Sequence, residues 1–157
     1  MKTTVTSRRN HLDCPLPSSP AAPRRAREGI ETVDELAHYP DLRFAAQLLA
    51  SELVTNCVRH AVPGGEPISL LLEWDERTLR AEVSDRGAGF DVSGVLAGYR
   101  QRNERHRGLS IVDALADRWG FRRGDGRFRI WFELDLVPGR RPWRGRERIR
   151  RGPRGGS

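Results

Sequence analysis

Residues 42–61 constrain this chain most, because their apolar side chains recur at helical spacing and leave a polar stripe behind them. At about 100° per residue, one broad side of such a helix gathers apolar residues and the other polar ones. The apolar side holds Ala46, Ala50, Leu53, Val54, Cys57 and Ala61; the polar side holds Glu52, Thr55, Asn56 and Arg59. A solvated face usually carries long Lys, Glu and Arg chains. Here a carboxylate is followed one turn later by a short amide, with a guanidinium beyond. That pattern is a polar site candidate, although a plain surface face is the favoured account of it when the helix is taken alone.

The flanking sequence places this helix in a larger order of elements. Asn10–Leu16 could form a short edge strand before the prolines at 15, 17 and 20 interrupt it. Ser18-Ser19-Pro20 offers a helix start, and Ala22, Ala26, Ile30, Val33 and Ala37 line one stripe of a helix over 21–38. Tyr39-Pro40-Asp41 breaks it ahead of the long helix. Residues 62–67, with Pro63, Gly64, Gly65 and Pro67, end that helix. The apolar run Ile68–Trp74 reads as a buried strand, and 79–84 alternates apolar and polar residues behind the turn Asp75-Glu76-Arg77, so the two form an antiparallel hairpin. Residues 91–107 are polar and read as a long loop. A second amphipathic helix spans 108–117, and strands at 119–123 and 128–136 flank Gly124-Asp125-Gly126, a hairpin turn. Helix, helix, strand, strand, loop, helix, strand, strand predicts a two-layer α/β (α+β) sandwich, a mostly antiparallel sheet with helices on one face.

Composition bounds the rest. A chain of 157 residues suits one domain with tails: an N-terminal arm over 1–17, a folded domain over 18–137 and a disordered Arg/Gly-rich tail over 138–157. The formal charge of +7 sits in that tail, which holds eight arginines and one acid, Glu147. Residues 1–137 are thereby net neutral, and the folded domain does not read as a basic nucleic-acid-binding module. The tail itself, with Trp143 among its arginines, could hold RNA or DNA by phosphate contacts and stacking; a solubilising extension is the favoured account of it. Two cysteines, Cys14 and Cys57, suit a reduced compartment better than a disulfide scaffold. No apolar run approaches the ~20 residues that span a bilayer, and the N-terminus lacks the apolar core of a signal peptide. A cytoplasmic protein without membrane contact is the expectation.

Three motifs then acquire meaning together: Glu52 with Asn56 four residues on, Asp85-x-Gly87-x-Gly89 at a strand end, and Gly108-Leu109-x-Ile111-Val112 opening a helix after a loop. In this order they resemble the ATP-binding site of the GHKL superfamily, which includes histidine-kinase catalytic domains, heat-shock chaperones, gyrase-type ATPases and bacterial anti-sigma factor kinases. The stretches 51–61 and 107–120 look most like the anti-sigma factor serine/threonine kinases, and the resemblance covers roughly residues 12–136.

The resemblance implies a Bergerat-type ATP-binding fold with ATP and Mg²⁺ as ligands. It implies that Asn56 carries the metal through its amide oxygen, in a shell completed by waters and phosphates. Glu52 becomes the general base toward an incoming serine hydroxyl. Asp85 becomes the acceptor for the exocyclic amine of adenine, which guanine lacks at that place. Gly87 and Gly89 let the backbone pass close to the base, and Gly108 and Leu109 open a helix whose bare N–H groups favour phosphate. Arg59 meets a phosphate or a partner carboxylate, or remains a surface residue. Implied partners are a sigma factor and an anti-sigma-factor antagonist that receives the γ-phosphoryl on a serine, and a homodimer is compatible with this. A non-catalytic, ATP-dependent binding module is the alternative. One departure bears on that choice: His106 stands where the family pattern has the first glycine of Gly-x-Gly-Leu, and His adopts positive φ at higher cost.

Overall fold

A computed structural model describes residues 9–61, 65–86, 89, 92, 107–138 and 154–156. Its elements, in chain order, are strand β1 (Asn10–Leu16), helix α1 (Ala22–Glu31), a 3₁₀ turn (Asp34–His38), helix α2 (Pro40–His60), strands β2 (Ile68–Trp74) and β3 (Thr78–Asp85), helix α3 (Arg107–Leu115), and strands β4 (Arg118–Gly124), β5 (Arg127–Asp135) and β6 (Arg154–Gly156). The sheet runs β1-β2-β3-β5-β4-β6. Its first five strands pair antiparallel, and the short β6 pairs parallel with β4.

Alternation along the strands makes the sheet two-faced. On the inner face Leu70 opposes Val83, Leu72 opposes Ala81, and Ala81 and Val83 oppose Phe132 and Ile130 on β5. All six are buried and form one core with Leu49, Leu53 and Val54 of α2 and Leu109 and Val112 of α3. The helices therefore cover one face, as the order of elements predicts. Ile68–Trp74 is less deeply buried than an all-apolar run suggests, since Leu71 belongs to the other face and is half-exposed.

The outer face is a set of mutually paired charges. Arg80 donates to Glu133 and Glu82, each at 3.1 Å, with its guanidinium 4.1 Å from the centre of the Trp131 ring. Arg118 donates to Glu133 and Asp135, each at 2.5 Å. Burial opposes ionisation of Glu133, but hydrogen bonds from Arg118 and Arg80 outweigh it and hold the carboxyl below the usual carboxylate range.

Both hairpins close through local chemistry. Asp75 Oδ1 accepts the N–H groups of Arg77 and Thr78 at 2.8 and 2.9 Å, fixing the β2–β3 turn. Asp125 and Gly126, both at positive φ (53° and 67°), make the two-residue turn between β4 and β5.

Three local expectations shift. The helix expected over 21–38 stops at Glu31, and Val33 is extended before the 3₁₀ turn. Thr32 Oγ1 donates to the Gly29 carbonyl at 2.7 Å, taking up a helical acceptor, and glycine itself is a weak helix former. The break lets Val33 and Leu36 both reach the core. It also presents Glu35 to Asn10 Nδ2 (3.2 Å) and Trp74 Nε1, tying this turn to β1 and β2. The long helix starts two residues early, because Pro40 occupies the first turn, where its missing N–H costs nothing. Most of the tail expected to be disordered, and all of the loop expected over 91–107 except Val92 and Arg107, lie outside the described residues. Residues 154–156 depart from the disordered-tail expectation by pairing as β6.

The paired carboxylate on the outer face predicts a pH dependence. Because the folded pKa of Glu133 is lowered, its contribution is present above the unfolded value of about 4.3 and is lost as pH falls through the folded one. In urea unfolding across pH 7 to 2.5, Glu133→Gln should lower stability at neutral pH and flatten the acid limb.

Candidate functional site

The strand register and the course of α2 bring two of the three motifs to one end of the sheet. Ser69 at the start of β2 opposes Ser84 near the end of β3, and Asp85 opposes Phe128 at the start of β5. Helix α2 ends at His60, shortly before Ile68 begins β2, so its C-terminal half lies over this end. Helix α3 ends at Leu115 and the chain re-enters the sheet at Arg118. Asp117 N–H donates to the Glu133 carbonyl at 2.9 Å, so the helix doubles back on β4. Leu109, in the first turn of α3, is buried in the common core.

On α2 the polar stripe is not uniform. Arg59 is exposed and Glu52 and Thr55 are half-buried, but Asn56 is 8% exposed. Spacing alone set Asn56 on the side away from the apolar residues; the structure turns it inward. Among the buried side-chain polar atoms of the described residues, its Nδ2 and Ser84 Oγ are the two without a hydrogen-bond partner. A buried donor left unsatisfied costs about 1–3 kcal/mol, which is tolerated in native proteins mainly where another group supplies the partner. Burial pushes the Glu52 carboxyl above the usual carboxylate range, and the Arg59 charge offsets part of that rise.

Asp85 is 4% exposed, and burial raises its carboxyl pKa with no described cation or donor to counter it. It lies beside α2: the Cys57 thiol is pushed upward first by its own burial and then by the charge of Asp85. Gly89 follows at φ +66°, packed so closely on Phe128 that a Cβ would lie 2.3 Å from the ring's Cγ. Only glycine fits there, on grounds of both backbone and space. Gly108 falls in the first turn of α3, which contains no acidic residue. Leu109 is fully buried in the core. Gly87 and His106 lie outside the described residues.

A model of the histidine kinase-like ATPase domain matches residues 16–134. The chain belongs to that family. No curated protein sequence matches the chain. Among solved structures it is similar to the RsbU and RsbW domains of Rv1364c from Mycobacterium tuberculosis, with a TM-score of 0.59 and 20% identity over 79% of this chain. The match covers 31% of that structure, so this chain spans about a third of its length, and the likeness is one of fold.

The residues present suit the ligands of such an ATPase domain. Among the described residues no three of His, Cys, Asp and Glu cluster as a ready-made metal cage. A divalent cation would therefore rely on one or two side-chain oxygens plus phosphates and water, which is the habit of Mg²⁺. Asn56 and Glu52 offer such hard oxygens; the unsatisfied Nδ2 of Asn56 is a donor, and so calls for an acceptor such as a phosphate or water oxygen rather than for the cation itself. Among the described residues no helix is long and apolar enough to cross a membrane. Sequence reasoning missed Phe128 and the proximity of Cys57 to Asp85, because both depend on strand register and on how α2 crosses the sheet.

Burial of Asp85 works against the fold, since a charge in an apolar surround is destabilising. Asp85→Asn should raise the stability of the ligand-free protein by about 0.5–2 kcal/mol, the range for relieving a strained functional position. Its ATP affinity should fall at the same time. Thermal unfolding alongside nucleotide titration checks both signs.

Proposed function

We propose that the chain is an ATP-binding regulatory protein of the anti-sigma factor kinase kind. It would transfer the γ-phosphoryl of ATP to a serine of an antagonist protein and hold a sigma factor in a nucleotide-dependent way. The observation that supports this most is the pair of buried polar side chains, Asn56 of α2 and Asp85 at the end of β3, where α2 passes beside Asp85 and Gly89 packs on Phe128.

In this reading Asp85 accepts the exocyclic amine of adenine, a donor that guanine does not present at that position. Gly89, lacking a side chain, keeps the base mouth open. Backbone N–H groups at the start of α3, Gly108 among them, meet phosphate oxygens at the positive end of the helix. Asn56 holds Mg²⁺ through its amide oxygen and Glu52 stands one turn away. When bound, the ion would neutralise charge on the phosphate oxygens. Glu52 takes the proton of the attacking serine hydroxyl as its oxygen bonds to the γ-phosphorus and the bond to the leaving ADP oxygen breaks. A carboxyl raised by burial is a stronger base than a free one and suits that task. Arg59, exposed two turns from Glu52, moderates its charge and is available to a phosphate or to a partner carboxylate.

His106 favours a second reading. A non-glycine at the residue expected to carry positive φ hinders closure over the phosphates, which would leave an ATP-dependent binding module without transfer. Transfer of labelled γ-phosphate to serine of a candidate antagonist separates the two. Under the kinase reading Glu52→Ala lowers transfer by roughly 10²–10⁴-fold while ATP still binds, and Asn56→Ala removes the Mg²⁺ dependence of ATP affinity. The transfer rate should rise with pH through the elevated Glu52 pKa. Transfer undiminished in Glu52→Ala would remove Glu52 as the base; ATP binding without transfer to any antagonist would select the second reading.

A further inference from the structure

Phe128 touches both ends of the Asp85-x-Gly-x-Gly motif. It is the residue opposite Asp85 in the β3–β5 pairing, and both side chains are buried on the inner face. Opposed side chains on one face of an antiparallel pair stand about 4.5–5.5 Å apart at Cβ. The ring is therefore a wall of the apolar surround in which the carboxylate sits. The same ring carries Gly89, whose missing Cβ would lie 2.3 Å from Cγ, 2.5 Å from Cδ2 and 2.7 Å from Cβ of Phe128.

The ring is itself held from the β4 side. Arg123 opposes Phe128 across β4 and β5, and its guanidinium stands 5.1 Å from the ring centre, a cation–π contact at the solvent edge. The Phe121 ring lies 6.3 Å away, tilted by 35°. Between these neighbours the ring has little freedom to swing out from under Gly89.

We infer that Phe128 is a positioning residue for the nucleobase end of the site, setting through one ring both the carboxylate of Asp85 and the backbone of Gly89. The inference rests on the reading of Asp85 as the acceptor for the base. It adds that the preference for adenine over guanine depends on the shape of a side chain with no polar atom to offer either base. The physical reason is that a carboxylate discriminates donors by fractions of an ångström and by the dryness of its surround. A ring that shifts changes both.

The test is titration of ATP and GTP into the full chain carrying Phe128→Leu, Phe132→Leu, Gly89→Ala or Asp85→Asn, with the unfolding midpoint recorded for each. Phe132 is on the same strand, equally buried, but opposes Ala81 away from the site, so its substitution reports core loss alone. Phe128→Leu should narrow the ATP-over-GTP preference by about tenfold, the cost of weakening one charge-assisted hydrogen bond. Phe132→Leu should lower the midpoint while leaving the preference at its wild-type value. An unchanged preference in Phe128→Leu, or an equal loss in Phe132→Leu, overturns the inference. Should Phe128→Leu fail to fold, Gly89→Ala asks the same question by pressing a methyl against the ring without opening a cavity. A full preference retained there overturns the inference too. Asp85→Ala is titrated as well, because the Oδ1 of an asparagine can still accept the amine of the base; if Asp85→Ala keeps the preference, the base-acceptor reading itself falls, an outcome recognisable whatever Phe128 does.

Discussion

Two polar side chains, Asn56 and Asp85, are buried among the described residues, and the core around them is otherwise apolar. Neither finds a described partner that offsets its burial. A fold selected for stability alone would place leucine or valine at both positions, because an uncompensated polar group in a core is destabilising by more than a kilocalorie or so. Here the rest of the molecule is arranged so that this burial is tolerated. The continuous apolar inner face of β2, β3 and β5 and the packing of α2 across it supply the stability that the site end consumes.

Stability and chemistry are thereby divided in space. The inner face away from the site is closed by Leu72, Leu79, Phe132 and Leu134. The outer face is held by ion pairs among Arg80, Arg118, Glu82, Glu133 and Asp135, in which every charge faces an opposite one. At the opposite end, beside the end of β3 and the start of β5, polar groups are instead left unmatched. Histidine kinase-like ATPase domains bind a polyanionic ligand, and a site kept incomplete by its own side chains is physically suited to receive one.

Much of the architecture was legible in the chain. Apolar periodicity over 42–61, alternation along 79–84 and the Gly-Asp-Gly turn each rest on local physics, so the helix, strand and hairpin they imply are present in the structure. The helix expected through His38 failed for a reason that is not local. Val33 and Leu36 both reach the core only if the chain kinks between them, and Glu35 then gains Trp74 and Asn10 as partners from strands distant in sequence. Propensity sees Gly29 and Thr32 as mild breakers; tertiary burial decides that they break.

The sequence by itself determined which residue types stand at the candidate positions: a carboxylate and an amide one helical turn apart, an aspartate at a strand end, and a glycine, Gly89, where backbone approaches closely. It did so because residue type and short-range spacing are written in the chain directly. Only the tertiary structure decided that Asn56 turns inward while Arg59 stays in water, that Cys57 sits beside Asp85, and that one aromatic residue, Phe128, both opposes Asp85 across the sheet and packs its ring on Gly89. Those facts follow from strand register and from the angle at which α2 crosses the sheet. Both are set by the packing of the whole core, which no single segment encodes.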